Sequence, residues 1–579
     1  MGKSVFGMAA ALALPCLLAG PSVAAAKLAP KSAHHHATAA AMAGAAAQPW
    51  WTHAVIYEIY PRSFQDSNGD GVGDLNGVTQ RLDYLKGLGV DAIWLTPFYP
   101  SPNYDFGYDV ADYTNVAPEY GTMADWDRLV AEARKRGIRV LVDFVLNHSS
   151  SEHPWFQQSR MSRANPKRDW YVWHDPAPDG GPPTNWQSIF GGSAWTLDKA
   201  TGQYYYHIFL PQQPDLNWRN PGLRKAMQDV MRFWLRHGAS GFRLDATPYL
   251  LEDPAWPNDP DPKSGAPVGL KPYNSGLPGN HPIMRDLRAI VNSYPGDRIL
   301  LGESNIATIS DLAKVYGVRH DEVNLPMDFL YSGVKTLDAQ AFKARIDEAE
   351  LKLHGEPPVL FFSNHDSSRQ WTRFGDGVHN DQIARLTAAM TLTLRGTSLI
   401  YYGEELGMGD LSKAVIKGLP LSPKRKVADD RDPERTPMQW SGEPKAGFTT
   451  GEPWLPVNPV TATYNAQSEV QDPTSLYHWY ADLIQLRRTN AALREGAYVA
   501  LDSGNPKVLA FARKDKAGQG VLVVLNMSDT PQIANISGWQ GQTPVFNKVV
   551  LARPAIQMPS LGNPTLEPFG VQILSFDPR

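Results

Sequence analysis

From Trp50 onward, short runs of β-branched and aromatic residues recur along the chain, separated by stretches whose apolar positions follow a helical period. Eight such runs stand out: Val55 to Tyr60, Ala92 to Pro97, Arg139 to Asn147, Gly241 to Ala246, Arg298 to Ser304, Glu322 to Phe329, Pro358 to Asp366 and Ser398 to Glu405. Strands alternating with helices, such as the one predicted over Met123 to Arg136, make βα units and hence a parallel sheet. Eight of them predict an α/β fold, the (β/α)8 TIM barrel, whose chemistry sits at the carboxyl ends of the strands.

The spacing of the runs also divides the chain. The gap after the third run is about twice the others, so residues 149–218 are expected to form a subdomain B inserted after strand 3, leaning over the mouth of the barrel. Residues 49–148 and 219–492 then make the barrel. Beyond Arg487 only strands remain, such as Val508 to Arg513, Val521 to Leu525 and Val571 to Phe576, which predicts a carboxyl-terminal antiparallel β-sandwich over residues 493–579. At the other end, Lys3, the apolar run Val5 to Gly20 and the small residues Ala24 to Ala26 read as a signal peptide over residues 1–26. An Ala-rich linker follows over residues 27–48. The expected destination is the periplasm or the medium.

Composition narrows the partners. With 55 basic and 59 acidic residues well mixed, the net charge of −4 creates no field that would draw nucleic acid or anionic lipid. No apolar stretch is long enough to span a membrane. The single cysteine, Cys16, lies in the signal segment, so the mature chain would hold no disulfide. Seventeen Trp and 23 Tyr supply flat faces that suit sugars, and a neutral small molecule is the fitting substrate.

Three acidic residues fall at or near the ends of three different predicted strands: Asp245 in Gly-Phe-Arg-Leu-Asp-Ala, Glu303 in Leu-Leu-Gly-Glu-Ser and Asp366 in Ser-Asn-His-Asp. A barrel would bring all three to one mouth. Burying them together is costly without a compensating cation, and Arg243, two residues before Asp245 and so on the same strand face, could supply one. A paired acid and nucleophile on opposite sides of a glycosidic bond is the chemistry this predicts. His148 ends the third run and His365 precedes Asp366, placing two imidazoles where sugar hydroxyls would be bound.

The segments Asp143-Phe-Val-Leu-Asn-His148, Gly241-Phe-Arg-Leu-Asp245, Gly302-Glu303 and Asn364-His-Asp366 resemble, in order and spacing, the four sequence regions of the α-amylase family, family 13 of the glycoside hydrolases. Gly71-Val-Gly-Asp-Leu75, Gln213-Pro-Asp-Leu-Asn217, Gly396 to Glu404 and Arg435-Thr-Pro-Met-Gln-Trp440 are similar to its oligo-1,6-glucosidase and α-glucosidase branch. The resemblance covers roughly residues 50 to 579. It implies that Asp245 attacks the anomeric carbon, that Glu303 is acid and then base, and that Asp366 binds sugar hydroxyls with help from Arg243, His148 and His365. It further implies that Asp105 holds the non-reducing-end hydroxyls and Tyr108 stacks on the sugar. Arg431, or Arg435 in its place, would lie near that terminal glucose.

Asp66, Asn68 and Asp70, followed by Gly71, Val72 and Asp74, put oxygen side chains at alternate positions, like the first part of a calcium loop without the distal Glu of an EF-hand. The resemblance implies structural calcium there, or magnesium, with Val72 giving its carbonyl. Ala246 and Thr247 after the nucleophile, where Val often accompanies α-1,6 preference in that branch, imply α-1,4. Ser304-Asn305 departs from the branch and leaves acceptor choice open, and with it hydrolysis against transglucosylation. The expected activity is therefore a retaining, exo-acting α-glucosidase for short α-glucosides. The alternatives are an oligo-1,6-glucosidase, a sucrose hydrolase, a trehalose synthase-like enzyme or a non-catalytic, transporter-associated barrel subunit.

Overall fold

The computed structural model describes residues 48–259, 273–539, 541, 544–554 and 564–578. The signal peptide and nearly all of the linker expected over residues 1–48 lie outside them. Eight parallel strands form the barrel: β1 Val55–Ile59, β2 Ala92–Leu95, β3 Arg139–Phe144, β4 Gly241–Leu244, β5 Ile299–Gly302, β6 Leu325–Pro326, β7 Val359–Leu360 and β8 Thr397–Tyr401. Neighbours in sequence pair in parallel, and β8 returns to β1. Between β6 and β7 the ladder shrinks to one parallel bridge, Met327 to Val359, which closes the ring.

Side-chain alternation sorts each strand into two faces. Val55, Tyr57 and Ile59 point outward into the core shared with the helices, whereas Ile56, Trp94, Leu141, Ile299 and Leu301 fill the interior. Each fully buried aliphatic side chain of that interior contributes about 1.5–3 kcal/mol. The same inner columns change character towards the mouth: Glu58 follows Ile56, Asp143 follows Leu141, and Glu303 follows Leu301 at a two-residue step. On β4 the column runs Gly241, Arg243, Asp245. Gly241 is required there, because it has φ +146° and a Cβ would lie 2.2 Å from the Ile299 carbonyl oxygen.

After β3 the chain leaves the barrel for a helix, Pro154–Met161, and a three-stranded antiparallel sheet of Trp173–His174, Gln203–Tyr206 and Trp195–Asp198. Its buried aromatics Trp186, Trp195 and Tyr206 share a cluster with Ala246 and Tyr249, immediately after β4. At the carboxyl end, β9 Ala497–Ala500, β10 Val508–Lys514, β11 Gly520–Asn526, β12 Val545–Arg553 and β13 Val571–Asp577 form an antiparallel sheet in the order β9-β10-β11-β13-β12. One face joins the main core through Leu509, Phe511 and Val523, and the other covers Ala510, Leu522 and Leu574. The TIM barrel with a carboxyl-terminal antiparallel domain is therefore the fold. No helix among the described residues is long and apolar enough to cross a membrane.

Candidate active site

Arg243 organises the mouth of the barrel. It is 1% exposed, and its register partner on β3 is Asp143. Nη1 donates to Asp245 Oδ1 at 2.6 Å and Asp143 Oδ1 at 3.1 Å, and Nη2 donates to Glu303 Oε2 at 2.8 Å. The Ala246 amide donates to the same Glu303 oxygen at 3.0 Å. One guanidinium thus offsets two buried carboxylates and the partly exposed Glu303, the condition under which buried charge is tolerable. Burial pushes Asp245 upward, the charges of Glu303 and Asp143 add to that, and Arg243 opposes it. Asp143 is pushed up to about 6 by burial against the pull of Arg243.

Opposite this group, His365 and Asp366 follow β7. The His365 ring lies against Tyr108, centroids 5.3 Å apart and nearly parallel at 8°. Its Nε2 is 2.8 Å from the Tyr108 hydroxyl and 3.1 Å from Asp366 Oδ2, and its Nδ1 is 2.6 Å from Glu58 Oε1. Burial alone would lower the imidazole, but Asp366 and Glu58 outweigh it and raise it to about 9. For Asp366 burial works upward, yet His365, Arg431 and Arg435 hold it well below the usual carboxylate range. The pair is therefore ionic at neutral pH.

The far end of the cavity is closed by charge. Arg431 bonds Asp105 Oδ1 through Nη2 at 2.5 Å and Asp366 Oδ1 through Nη1 at 2.8 Å, while Asp429 lies 2.7 Å from Nη2. Arg435 stands behind it, donating to the His365 carbonyl at 2.7 Å and Asp366 Oδ1 at 2.9 Å. Of the two arginines, Arg431 lines the cavity. Gln213 donates to Asp105 Oδ2 at 2.9 Å and lies 3.1 Å from His148 Nε2. Burial lowers His148 to about 4 against the attraction of Asp105, so this ring is neutral. The enclosed space is about 380 Å³; Ile189, Phe190 and Phe209 of the insertion, with Tyr249 and Phe329, form its apolar side.

Asp105, Tyr108, His148, Arg243, Asp245, Glu303, His365, Asp366 and Arg431 thus converge on one mouth. Glu58 and Asp429 went unmarked in the sequence, and Asp143 and Gln213 stood in its motifs without a role. Glu58 had a signal, since alternation with Ile56 puts a carboxylate on the inner face of β1; Asp429 had none.

The loop from Asp66 to Asp74 lies apart from this cavity. Asp66 accepts the amides of Asn68, Gly69 and Gly71 at 2.9, 2.8 and 2.7 Å, and Asp70 accepts that of Val72 at 2.8 Å. Asp74 caps the helix Leu75–Gln80 through the Gly77 amide. Among the described residues no three acidic or imidazole side chains come together closely enough to hold an ion unaided. The oxygen-only donors suit a hard divalent cation, and the Asn68 side-chain and Val72 main-chain oxygens would have to complete the set. Burial, with the neighbouring Asp66 charge adding to it, raises Asp74, a repulsion that a cation would relieve.

Residues 58–496 match the family model described as alpha amylase, catalytic domain, and residues 498–552 that of the maltogenic amylase C-terminal domain. An oligo-1,6-glucosidase of Halalkalibacterium halodurans is 40% identical over 510 residues, 82% of this chain and 90% of that protein. An alpha-glucosidase of Pediococcus pentosaceus is 38% identical over 537 residues, 85% and 94% of the two chains. Among solved structures, an isomaltulose synthase variant from Erwinia rhapontici NX5, in complex with its natural substrate sucrose, aligns with a TM-score of 0.84 at 35% identity, covering 92% of this chain and 100% of that one.

Proposed function

The chain belongs to the α-amylase family of glycoside hydrolases, and from that premise we propose that it is a retaining, exo-acting α-glucosidase that releases glucose from the non-reducing end of short α-glucosides. The observation that supports the exo reading is Arg431, which ties Asp105 to Asp366 at the wall of the cavity and so would stop a chain from passing beyond one sugar. A long chain cannot thread through such a pocket, but its terminal glucose can enter.

In the proposed reaction the Asp245 carboxylate attacks the anomeric carbon as the glycosidic C–O bond breaks, and Glu303 gives its proton to the departing oxygen. Water then attacks the covalent β-glucosyl ester, Glu303 takes its proton back, and Asp245 leaves as carboxylate. Two inversions return α-glucose. An acceptor hydroxyl in place of water would give transglucosylation by the same step. Arg243 holds the nucleophile and the acid by opposite arms of one guanidinium, so neither carboxyl group need reorganise as charge moves between them.

For linkage we favour α-1,4, from Ala246 and Thr247; the likeness to an oligo-1,6-glucosidase supports α-1,6 as the second reading. Thr247 Oγ1 donates to the Glu303 carbonyl at 2.6 Å, tying the turn after Asp245 to the segment that carries Glu303. Proton NMR on maltose, isomaltose, sucrose and trehalose tests the proposal. Maltose is expected to be cleaved fastest, with α-glucose appearing first. Faster isomaltose cleavage would reverse the linkage assignment, and β-glucose as the first product would exclude retention.

A structural calcium ion in the Asp66–Asp74 loop, and export to the periplasm or medium from the reading of residues 1–26, belong to the same proposal. Chelation is expected to lower the Tm by about 2–4 °C while kcat at 25 °C is unchanged, since two carboxylates need no metal to break a glycosidic bond. A Tm unmoved by chelation and by added calcium would remove the ion.

A further inference from the structure

Glu58 has no part in the reaction as described, yet its surroundings are costly for a carboxylate. It is 0% exposed on the inner face of β1, and its Oε2 is buried without a hydrogen-bond partner. An ionised group so placed persists only where a close cation offsets its lost hydration. The cation at hand is the ring of His365. Glu58 Oε1 lies 2.6 Å from His365 Nδ1 and also accepts the His365 backbone amide at 3.2 Å, so both the ring and the turn carrying Asp366 are tied to β1.

We propose that Glu58 is a positioning residue: acting from beneath the cavity through His365, it keeps that ring cationic and turned so that Nε2–H faces Asp366 and Tyr108, presenting Asp366 to the sugar as a permanent anion. The proposal rests on the reading of Asp366 as a sugar-binding group. With Nδ1–H committed to Glu58, Nε2 has two acceptors in reach, Tyr108 Oη at 2.8 Å and Asp366 Oδ2 at 3.1 Å. Tyr108 in turn donates to Asp143 Oδ2 at 3.0 Å, and Asp143 meets Arg243. A line of hydrogen bonds therefore runs from Glu58 beneath the pocket to the guanidinium that holds Asp245 and Glu303.

The groups closest to the ring favour a positive charge on it. From β1 comes Glu58, from just after it the stacked ring of Tyr60, from β2 the edge of Trp94, and from the loop after β2 the Tyr108 hydroxyl. Asp143 of β3 adds a further negative charge that acts on the ring. Arg243 of β4 and Arg435 oppose it, but each is already bonded to carboxylates of its own. Asp366, beside the ring, adds to Glu58. A neutral Gln at position 58 could still accept from Nδ1 through its carbonyl oxygen, so Glu58→Gln removes the charge while retaining the geometry.

Two measurements test this. In the unaltered enzyme labelled with 15N-histidine, the His365 resonances, assigned by their loss in His365→Gln, should report both ring nitrogens protonated at pH 7 and up to about pH 9; a neutral ring at pH 7 would overturn the proposal without reference to any substrate. In Glu58→Gln the ring, held up by Asp366 alone, should titrate below the parent's, so kcat/KM on maltose should match the parent within a few-fold at pH 5.5 and fall about 10-fold at pH 8. Glu58→Asp should recover part of the loss at pH 8. A loss equal at both pH values, or an unmoved profile, would make Glu58 a packing residue only. If the NMR result holds but no sugar is cleaved by the parent, the glycosidase reading fails and the ion pair stands.

Discussion

Asp245→Asn is expected to fold as the parent does and to lose maltose turnover on the order of 10⁴-fold, because an amide oxygen cannot form the glucosyl ester. The substitution is nearly isosteric, and the Asn oxygen can still accept from Arg243 Nη1, as the carboxylate does at 2.6 Å. Its effect on stability should have the opposite sign from its effect on rate. Burial and the charges of Glu303 and Asp143 raise Asp245 in the folded protein, so the native state binds a proton more readily than the unfolded chain does. Stability from this group therefore declines as pH rises past its unfolded value, and at neutral pH the ionised carboxylate is a cost. Replacing it by a neutral amide should leave the Tm equal to the parent's or higher. Calorimetry beside single-turnover kinetics checks both; residual activity above about one per cent would remove Asp245 from the nucleophile's role.

Arg243→Met should be the most damaging single change to the fold at this site. The arginine is 1% exposed and bonds Asp143, Asp245 and Glu303, so its loss leaves three carboxylates crowded together without a cation. Removing one partner of such a buried network costs about 3–5 kcal/mol. Protonation offers the carboxylates the one local relief, so the loss should shrink as pH falls from 7.5 to 5. Urea unfolding at the two pH values reads this directly, and an equal loss at both would mean that lost packing against Trp94 dominates instead. Arg243→Lys should restore little activity, since one ammonium cannot reach Asp245 and Glu303 along two fixed arms.

The place of the candidate site was more legible in the chain than were the ends of the elements carrying it. Asp245, Glu303 and Asp366 each follow an apolar run, and alternation by twos carries inner-face identity past the last strand residue. The same continuity blurs strand ends. The run Arg139 to Asn147 reads as one strand, yet β3 stops at Phe144, because Val145 and Leu146 remain fully buried against the main core without ladder bonds. Glu322 to Phe329 and Pro358 to Asp366 contain only two-residue strands. There Pro326 has no N–H to give, and the ladder falls to the Met327–Val359 bridge. Glu58 went unremarked because one acidic residue within a strand carries no motif, although its place on the inner face followed from Ile56. The closure by Arg431 reaches Asp105, 326 residues away, and no local pattern encodes that meeting; Asp429 pairs with Arg431 only two residues on, in a loop that carries no motif.

The inner columns of the barrel, aliphatic at the base and ionised at the rim, also bear on how such enzymes diversify. The rim carboxylates and the interior packing share the same strands, two residues apart, so altering the first risks the second. Phe190 and Phe209, by contrast, reach the cavity from the inserted segment, and Asn305 from a loop, outside the strand ladder. Selection can exchange these without disturbing a barrel register. Two proteins that are 40% and 38% identical to this chain bear different glucosidase names, and such a collar is where a fold can hold its strands and still change its substrate.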